Sequence, residues 1–248
     1  MAGRNKLNVI LDIDETFVQY GGAEDTKKYE DGGDEAGKYE VEGGFIFRPH
    51  MKEFLKFLND NCATVNLWTW SDKVYATGLK KILERIVPGL KISNVWVDED
   101  VEASIAREDE TGKNKDLNYL WYDLAVDGFL PCNTILVDDL KSNSMNSSNF
   151  ENSINLKAFE PMGPKKKKTA LTKGSIRTGE AHEDFTKDRI LLDIIEILKG
   201  VMDKSDFCED GDMPVPFPGG GPSPGVTGGK RRKTKRRGRK SKITGKRR

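Results

Sequence analysis

A chain of 248 residues can hold one domain or two, and the distribution of charge favours one folded body with a tail. The formal net charge of +1 hides an asymmetry. Thirteen of the nineteen residues from Lys230 to Arg248 are Lys or Arg, so residues 1–229 hold twenty-eight Lys and Arg against forty Asp and Glu, a charge of −12. No stretch approaches the roughly 18 apolar residues of a membrane helix, and M-A-G-R-N-K lacks the apolar core of a secretory signal, so a soluble intracellular protein without membrane contact is expected.

The first element in chain order carries the most chemistry. Leu7 to Ile13 reads as a buried parallel strand, and the run N-V-I-L-D-I-D-E-T-F breaks at Asp12 and Asp14. Carboxylates that emerge there lie at the carboxyl end of a strand, where open α/β sheets place their ligands. Residues i and i+2 of an extended segment point the same way, so Asp12 and Asp14 can share one small pocket suited to a metal and a phosphate. Residues 20–37, rich in Gly, Asp, Glu and Lys, read as a loop, and Lys38 to Phe47 as a small hairpin turning at Gly43-Gly44. Pro49 fits the first turn of a helix with Met51, Phe54, Leu55 and Leu58 on one face.

A strand from Ala63 to Thr69 follows, then a helix N-capped by Ser71 that stops before Pro88-Gly89. Ile92 to Val97, Thr134 to Val137 and Ile154 to Phe159 are further strands, and Arg189 to Met202 is a closing amphipathic helix. Alternating strands and helices predict an α/β sandwich. Three strand ends then bear polar groups: Asp12 and Asp14, Thr69 and Ser71, and Asp138 and Asp139. Lys115 precedes the fourth strand and either folds back over the same crevice or, as is favoured for this residue taken alone, is a solvated lysine in a loop that also contains Lys113.

These blocks carry a resemblance. D-I-D-E-T, R-P-H-M-K-E-F-L, L-W-T-W-S-D-K-V-Y-A, K-D-L and I-L-V-D-D, in that order, resemble the haloacid-dehalogenase (HAD) superfamily. More narrowly they resemble its FCP/SCP-type, NLI-interacting-factor-like phosphatases of the RNA polymerase II C-terminal domain, over Leu7 to Phe159 with the closing helix as a further match. The resemblance implies an α/β, HAD-like Rossmannoid three-layer sandwich with a central, mostly parallel sheet, a small hairpin insert and no large cap domain. It implies a nucleophile at Asp12, an acid/base at Asp14, phosphate contacts from Thr69 and Lys115, and Mg²⁺ held by Asp12, Asp14 through its main chain, and Asp138 or Asp139. Small members usually carry Asp-Asn where this chain has Asp138-Asp139, which leaves open which of the two meets the metal. Thr16 is expected to orient Asp14, and Arg48 to line the rim or to form a surface salt bridge.

The resulting expectation is a phosphoserine or phosphothreonine phosphatase acting through an aspartyl phosphate on a phosphorylated protein or peptide, an RNA polymerase tail among them. The alternatives are hydrolysis of a small phosphate ester or a nucleic-acid phosphomonoester end, and a catalytically weak adaptor. Trp68, Trp70, Tyr75, Trp121 and Tyr122 fit either a peptide groove or the core, with the core favoured. Cys62, Cys132 and Cys208, widely spaced and without a C-x-x-C pair, read as reduced structural thiols.

In domain terms, residues 1–205 read as the phosphatase domain with an insertion at 161–184, residues 206–229 as a Pro/Gly-rich linker, and 230–248 as a disordered basic tail. The tail fits nuclear import, nonspecific attachment to nucleic acid, or a charge-balancing arm on the acidic body.

Overall fold

In β1 (Asn8–Leu11), every residue is buried, and successive side chains feed two different cores. Val9, Leu11 and the following Ile13 join a cluster with Phe54, Leu58, Leu79, Leu83, Ile194 and Leu198, whereas Ile10 packs with Trp68, Trp96, Leu120 and Leu136. A strand with apolar contacts on both faces is the centre of a sandwich. The computed structural model describes residues 6–34, 36–107, 115–144, 149, 151–163 and 184–203. The linker and tail, and 164–183 of the expected insertion, lie outside the described residues.

The chain runs on through β2 (Val18–Tyr20), α1 (Gly22–Thr26), β3 (Glu40–Glu42), β4 (Phe45–Phe47) and α2 (Met51–Asn61). Then come β5 (Thr64–Trp68), α3 (Lys73–Ile86), β6 (Ile92–Trp96), α4 (Asp98–Arg107), β7 (Thr134–Asp138), α5 (Lys141–Ser144), β8 (Ser153–Asn155) and α6 (Ile190–Met202). The main sheet has the order β6-β5-β1-β7-β8, and all of its pairings are parallel. Helices α2, α3 and α6 cover one face. On the other lie α4 and a π-helical turn at Tyr119–Asp123, through Val101, Leu120 and Trp121. This is the expected three-layer α/β arrangement around a parallel sheet.

The insert differs from a simple hairpin. Strands β3 and β4 do meet at Gly43 and Gly44, with φ of 61° and 80°, the positive-φ pair that a tight two-residue turn requires. However, β2 pairs along the other edge of β4, giving a three-stranded antiparallel sheet in the order β2-β4-β3. Residues 20–37, expected to be a loop, contain α1 and a 3-10 turn at Lys27–Tyr29. Burial of Thr26 and Tyr29 offsets their weak local preference, since Tyr29 packs with Ile46, Phe159, Met162 and Phe185 and donates to the Pro161 carbonyl at 3.1 Å. Among the described residues between β6 and Lys115 there is a single helix, α4, and no cap domain.

Smaller corrections follow the same logic. The last strand is three residues, not six, because β8 pairs with β7 only over Leu136 to Asp138. Asp72, not Ser71, caps α3, accepting from the Tyr75 amide at 2.9 Å. Cys62 is a buried free thiol, whose pKa burial pushes up to about 12. No helix among the described residues is long and apolar enough to cross a membrane.

Candidate active site

Because β1, β5 and β7 are parallel neighbours, their carboxyl ends lie along one edge, and Asp12, Thr69 and Asp138 arrive there together. The Asp12 amide donates to the Val137 carbonyl at 2.9 Å, and the Thr69 amide to the Trp96 carbonyl at 3.0 Å, which carries the sheet pattern into the site. One carboxylate oxygen from each of Asp12, Asp138 and Asp139 lies within 4.8 Å of the others. Such an oxygen-only set suits a hard divalent cation.

Lys115 closes the site from across the sheet. Its ammonium is fully buried and bonds Asp12 Oδ1 and, at 2.9 Å, Asp138 Oδ2. Two asparagines fix the backbone behind it: the Lys115 amide donates to Asn143 Oδ1 at 3.1 Å, and Asn149 Nδ2 donates to the Asn143 carbonyl at 2.7 Å and to the Lys115 carbonyl. Sequence reasoning missed both, because each lies in a polar stretch, K-S-N-S-M-N-S-S-N, that carries no periodic signal.

Adjacent acids Asp138 and Asp139 have different surroundings. Both oxygens of Asp138 are engaged, Oδ2 by Lys115 and Asn143 (2.8 Å) and Oδ1 by the Leu140 amide (2.8 Å). Asp139 accepts through Oδ1 from Thr16 at 3.1 Å. The same threonine hydroxyl lies 3.0 Å from Asp12 Oδ2 and accepts from the Asp139 amide at 3.2 Å. Thr16 therefore orients Asp12 and Asp139, not Asp14 as expected. The left-handed turn at Glu15, φ 66°, brings this about by folding the chain back into β2.

Asp14 has other partners: Ser71 Oγ donates to Oδ2 at 3.0 Å and the Tyr75 hydroxyl to Oδ1 at 2.5 Å. Burial, followed by the charge of Asp14, pushes the Tyr75 phenol up, so it remains a donor. The Asp14 side chain stands outside the three-acid cluster. Thr69 Oγ1 accepts from the Ser71 amide at 3.0 Å, which leaves the hydroxyl proton to be donated.

Arg48 is buried rather than on the rim or in a surface pair. It donates to Asp188 at 2.8 Å and to the carbonyls of Thr16 and Lys157 at 2.7 and 2.9 Å, tying the Thr16 turn to the segment before α6. Arg48→Met is expected to cost about 3–5 kcal/mol, because it strands a nearly buried carboxylate and two carbonyls. Urea unfolding that showed under 1 kcal/mol of loss would contradict this. Among the aromatics, Trp68 and Trp121 are core as favoured, Trp70 and Tyr122 are exposed, and Tyr75 reaches the site.

Charge is the difficulty of the site. Burial pushes the Asp12 carboxyl well above the usual range; Lys115 pulls it back, while Asp138 and Asp139 push it further up. Burial and Asp138 raise Asp139 to about 6. Burial works against the Lys115 ammonium, but the charges of Asp12 and Asp138 outweigh it and the group is raised. Like unit charges at about 4 Å cost roughly 4 kcal/mol at an effective dielectric near 20. One lysine does not balance the neighbouring acids, and a second cation would.

Parallel-strand ends that gather acids, a buried lysine and a donor hydroxyl define an α/β site of the phosphoryl-transfer class. Residues 7–188 match the family described as NLI interacting factor-like phosphatase, and the chain belongs to that family. No curated protein matches it. Among solved structures, the fission yeast RNA polymerase II CTD phosphatase Fcp1 bound to beryllium fluoride is similar at 17% identity and a TM-score of 0.46, covering 80% of this chain and 53% of that one. A second structure of Fcp1, described as an essential RNA polymerase II CTD phosphatase, gives 18%, 0.47, 80% and 51%. A predicted HAD-like family hydrolase from Porphyromonas gingivalis gives 10%, 0.36, 62% and 92%. The chain thus spans about half the length of the two Fcp1 chains.

Proposed function

We propose that residues 1–205 form a cap-less, Mg²⁺-dependent phosphatase for phosphoserine or phosphothreonine in flexible protein segments, an RNA polymerase C-terminal tail among them. The observation that carries this reading is the buried Lys115 ammonium shared by Asp12 and Asp138 at the strand ends, with Thr69 following the neighbouring strand β5 and Asp14 two residues from Asp12. Family membership supports the phosphatase chemistry. Among the described residues between β6 and Lys115 there is one helix and no cap domain, which favours a bulky substrate over a small ester.

In the reaction, an Asp12 oxygen forms a bond to phosphorus as the bond to the seryl oxygen breaks, and Asp14 gives that oxygen its proton. Asp14 then takes a proton from water as the water oxygen displaces Asp12. Lys115 and the Thr69 hydroxyl stabilise the phosphoryl oxygens. Asp12 and Asp139, with the main chain at Asp14, would hold the metal, because Asp138 is occupied by Lys115, Asn143 and the Leu140 amide. When bound, Mg²⁺ supplies the positive charge that lets a phosphate dianion approach these acids.

The purified protein, with and without Mg²⁺, is tested on phosphopeptides beside nucleotides and sugar phosphates. Preference for phosphopeptides, lost with a chelator, is expected. A higher kcat/KM on nucleotides or sugar phosphates would transfer the chain to small esters, and inactivity on every substrate would favour an adaptor.

A pH signature follows from Asp139. With a folded pKa of about 6 against an ordinary value near 3.9, its contribution to metal-free stability is complete below pH ~4 and is lost as the pH rises through about 6. Mg²⁺ competes with that proton. Added Mg²⁺ should therefore raise the melting temperature more at pH 7.5 than at pH 5; an equal or greater gain at pH 5 would contradict Asp139 as a ligand.

The basic run 230–248, thirteen Lys or Arg in nineteen residues, is proposed to attach the protein to nucleic acid without sequence preference and to favour a nuclear location. Full-length protein should bind nucleic acid with steep salt dependence, and a chain ending at Gly229 should not. Equal binding by both would remove the tail from this role.

A further inference from the structure

The block T-W-S-D-K-V-Y holds three hydroxyls, and the reaction above uses only that of Thr69. We infer that Ser71 and Tyr75 are positioning residues that clamp the Asp14 carboxylate, one hydroxyl on each oxygen, in line with the leaving group. The inference rests on the assignment of Asp14 as the acid/base.

The geometry supports a clamp rather than an incidental contact. Ser71 lies before the Asp72 cap of α3 and Tyr75 after it, so the helix start presents both hydroxyls to the same carboxylate, on Oδ2 and Oδ1. Both bonds reach more than 50 residues back along the chain. The Ser71 amide is anchored on Thr69 Oγ1, which couples the clamp to the phosphate-side hydroxyl.

The Tyr75 ring is held from the insert. It lies edge-on to Tyr20 of β2 with centroids 5.5 Å apart, and tilted against Phe45 of β4 at 5.4 Å, while Tyr20 and Phe45 meet at 4.9 Å. Three mutually packed rings fix where the phenol can point, so presenting its hydroxyl to Asp14 costs little further entropy. A carboxylate offers about four acceptor positions, and two hydroxyls leave others free to exchange a proton with substrate or water. The small antiparallel sheet thereby acts on the proton-transfer step through the ring of Tyr75.

Leaving-group dependence separates this role from a merely structural one. A seryl oxygen must be protonated as it departs, whereas p-nitrophenolate leaves without help. Tyr75→Phe retains the ring and loses only the hydroxyl. It is expected to lower kcat/KM by roughly 10- to 100-fold on a phosphoserine peptide, a fraction of what general acid catalysis supplies, and by less than about 3-fold on p-nitrophenyl phosphate. Ser71→Ala should show the same contrast and decides alone if Tyr75→Phe does not fold.

An equal loss on both substrates, or no loss on either, would overturn the clamp. Failure of the underlying reading shows elsewhere: wild-type protein would not hydrolyse the peptide, or Asp14→Asn would retain full peptide activity.

Discussion

Asp12→Asn is expected to reduce turnover by about 10³-fold or more and to remove any phosphoenzyme that hydroxylamine can trap. The amide keeps an oxygen that can accept from Thr16, and the flanking β1 contacts do not involve the side chain, so the fold should persist. What disappears is the anionic oxygen that attacks phosphorus, together with one of the two carboxylates on Lys115. Asp14→Asn should behave differently, since the nucleophile survives: with a good leaving group the phosphoenzyme should form and accumulate, because no base activates water. Undiminished phosphopeptide hydrolysis by Asp12→Asn would refute the assigned nucleophile.

Lys115→Met is expected to damage both stability and activity. The side chain is fully buried between Asp12 and Asp138, and removing one member of a buried charge cluster leaves the rest uncompensated, at a cost of about 3–5 kcal/mol. Met matches the length of the lysine stem, and the backbone anchors on Asn143 and Asn149 do not depend on the ammonium, so the loss should reflect charge rather than a cavity. The penalty should shrink at low pH, where the acids protonate, and on adding Mg²⁺. Activity should fall by at least ~10²-fold, the scale for losing one preorganised electrostatic contact to the transition state. A variant as stable as the wild type in metal-free buffer at pH 7.5 would show that Lys115 does not neutralise this cluster.

Of these two residues, Asp12 is visible in one dimension, whereas Lys115 taken alone reads as a loop lysine and gains its role from the order of the family blocks. An apolar strand interrupted by Asp12 and Asp14 is informative because a parallel strand buries both faces and exposes polar groups only at its end. Thr69 and Asp138 repeat that pattern at β5 and β7. The insert was legible only in its β3–β4 turn, where Gly43-Gly44 is a local signal. Its strand β2 is tied through Gln19 to the Gly163 carbonyl and the Met162 amide, and Tyr29 of the 3-10 turn packs against Phe159, Met162 and Phe185, all distant in the chain, so local composition carries no trace of either.

The sequence by itself determined the parallel α/β scaffold and the strand-end acids, because alternation, burial and turn chemistry act over a few residues, whereas Lys115 stood out only through the family resemblance. Only the tertiary structure decided who holds whom. Asp138 goes to Lys115 and Asn143, and Asp139 to Thr16; Asp14 goes to Ser71 and Tyr75, and Arg48 turns inward to Asp188. These pairings depend on rotamers and on strand register between distant segments. Spacing along the chain cannot encode which of two adjacent carboxylates meets a given donor.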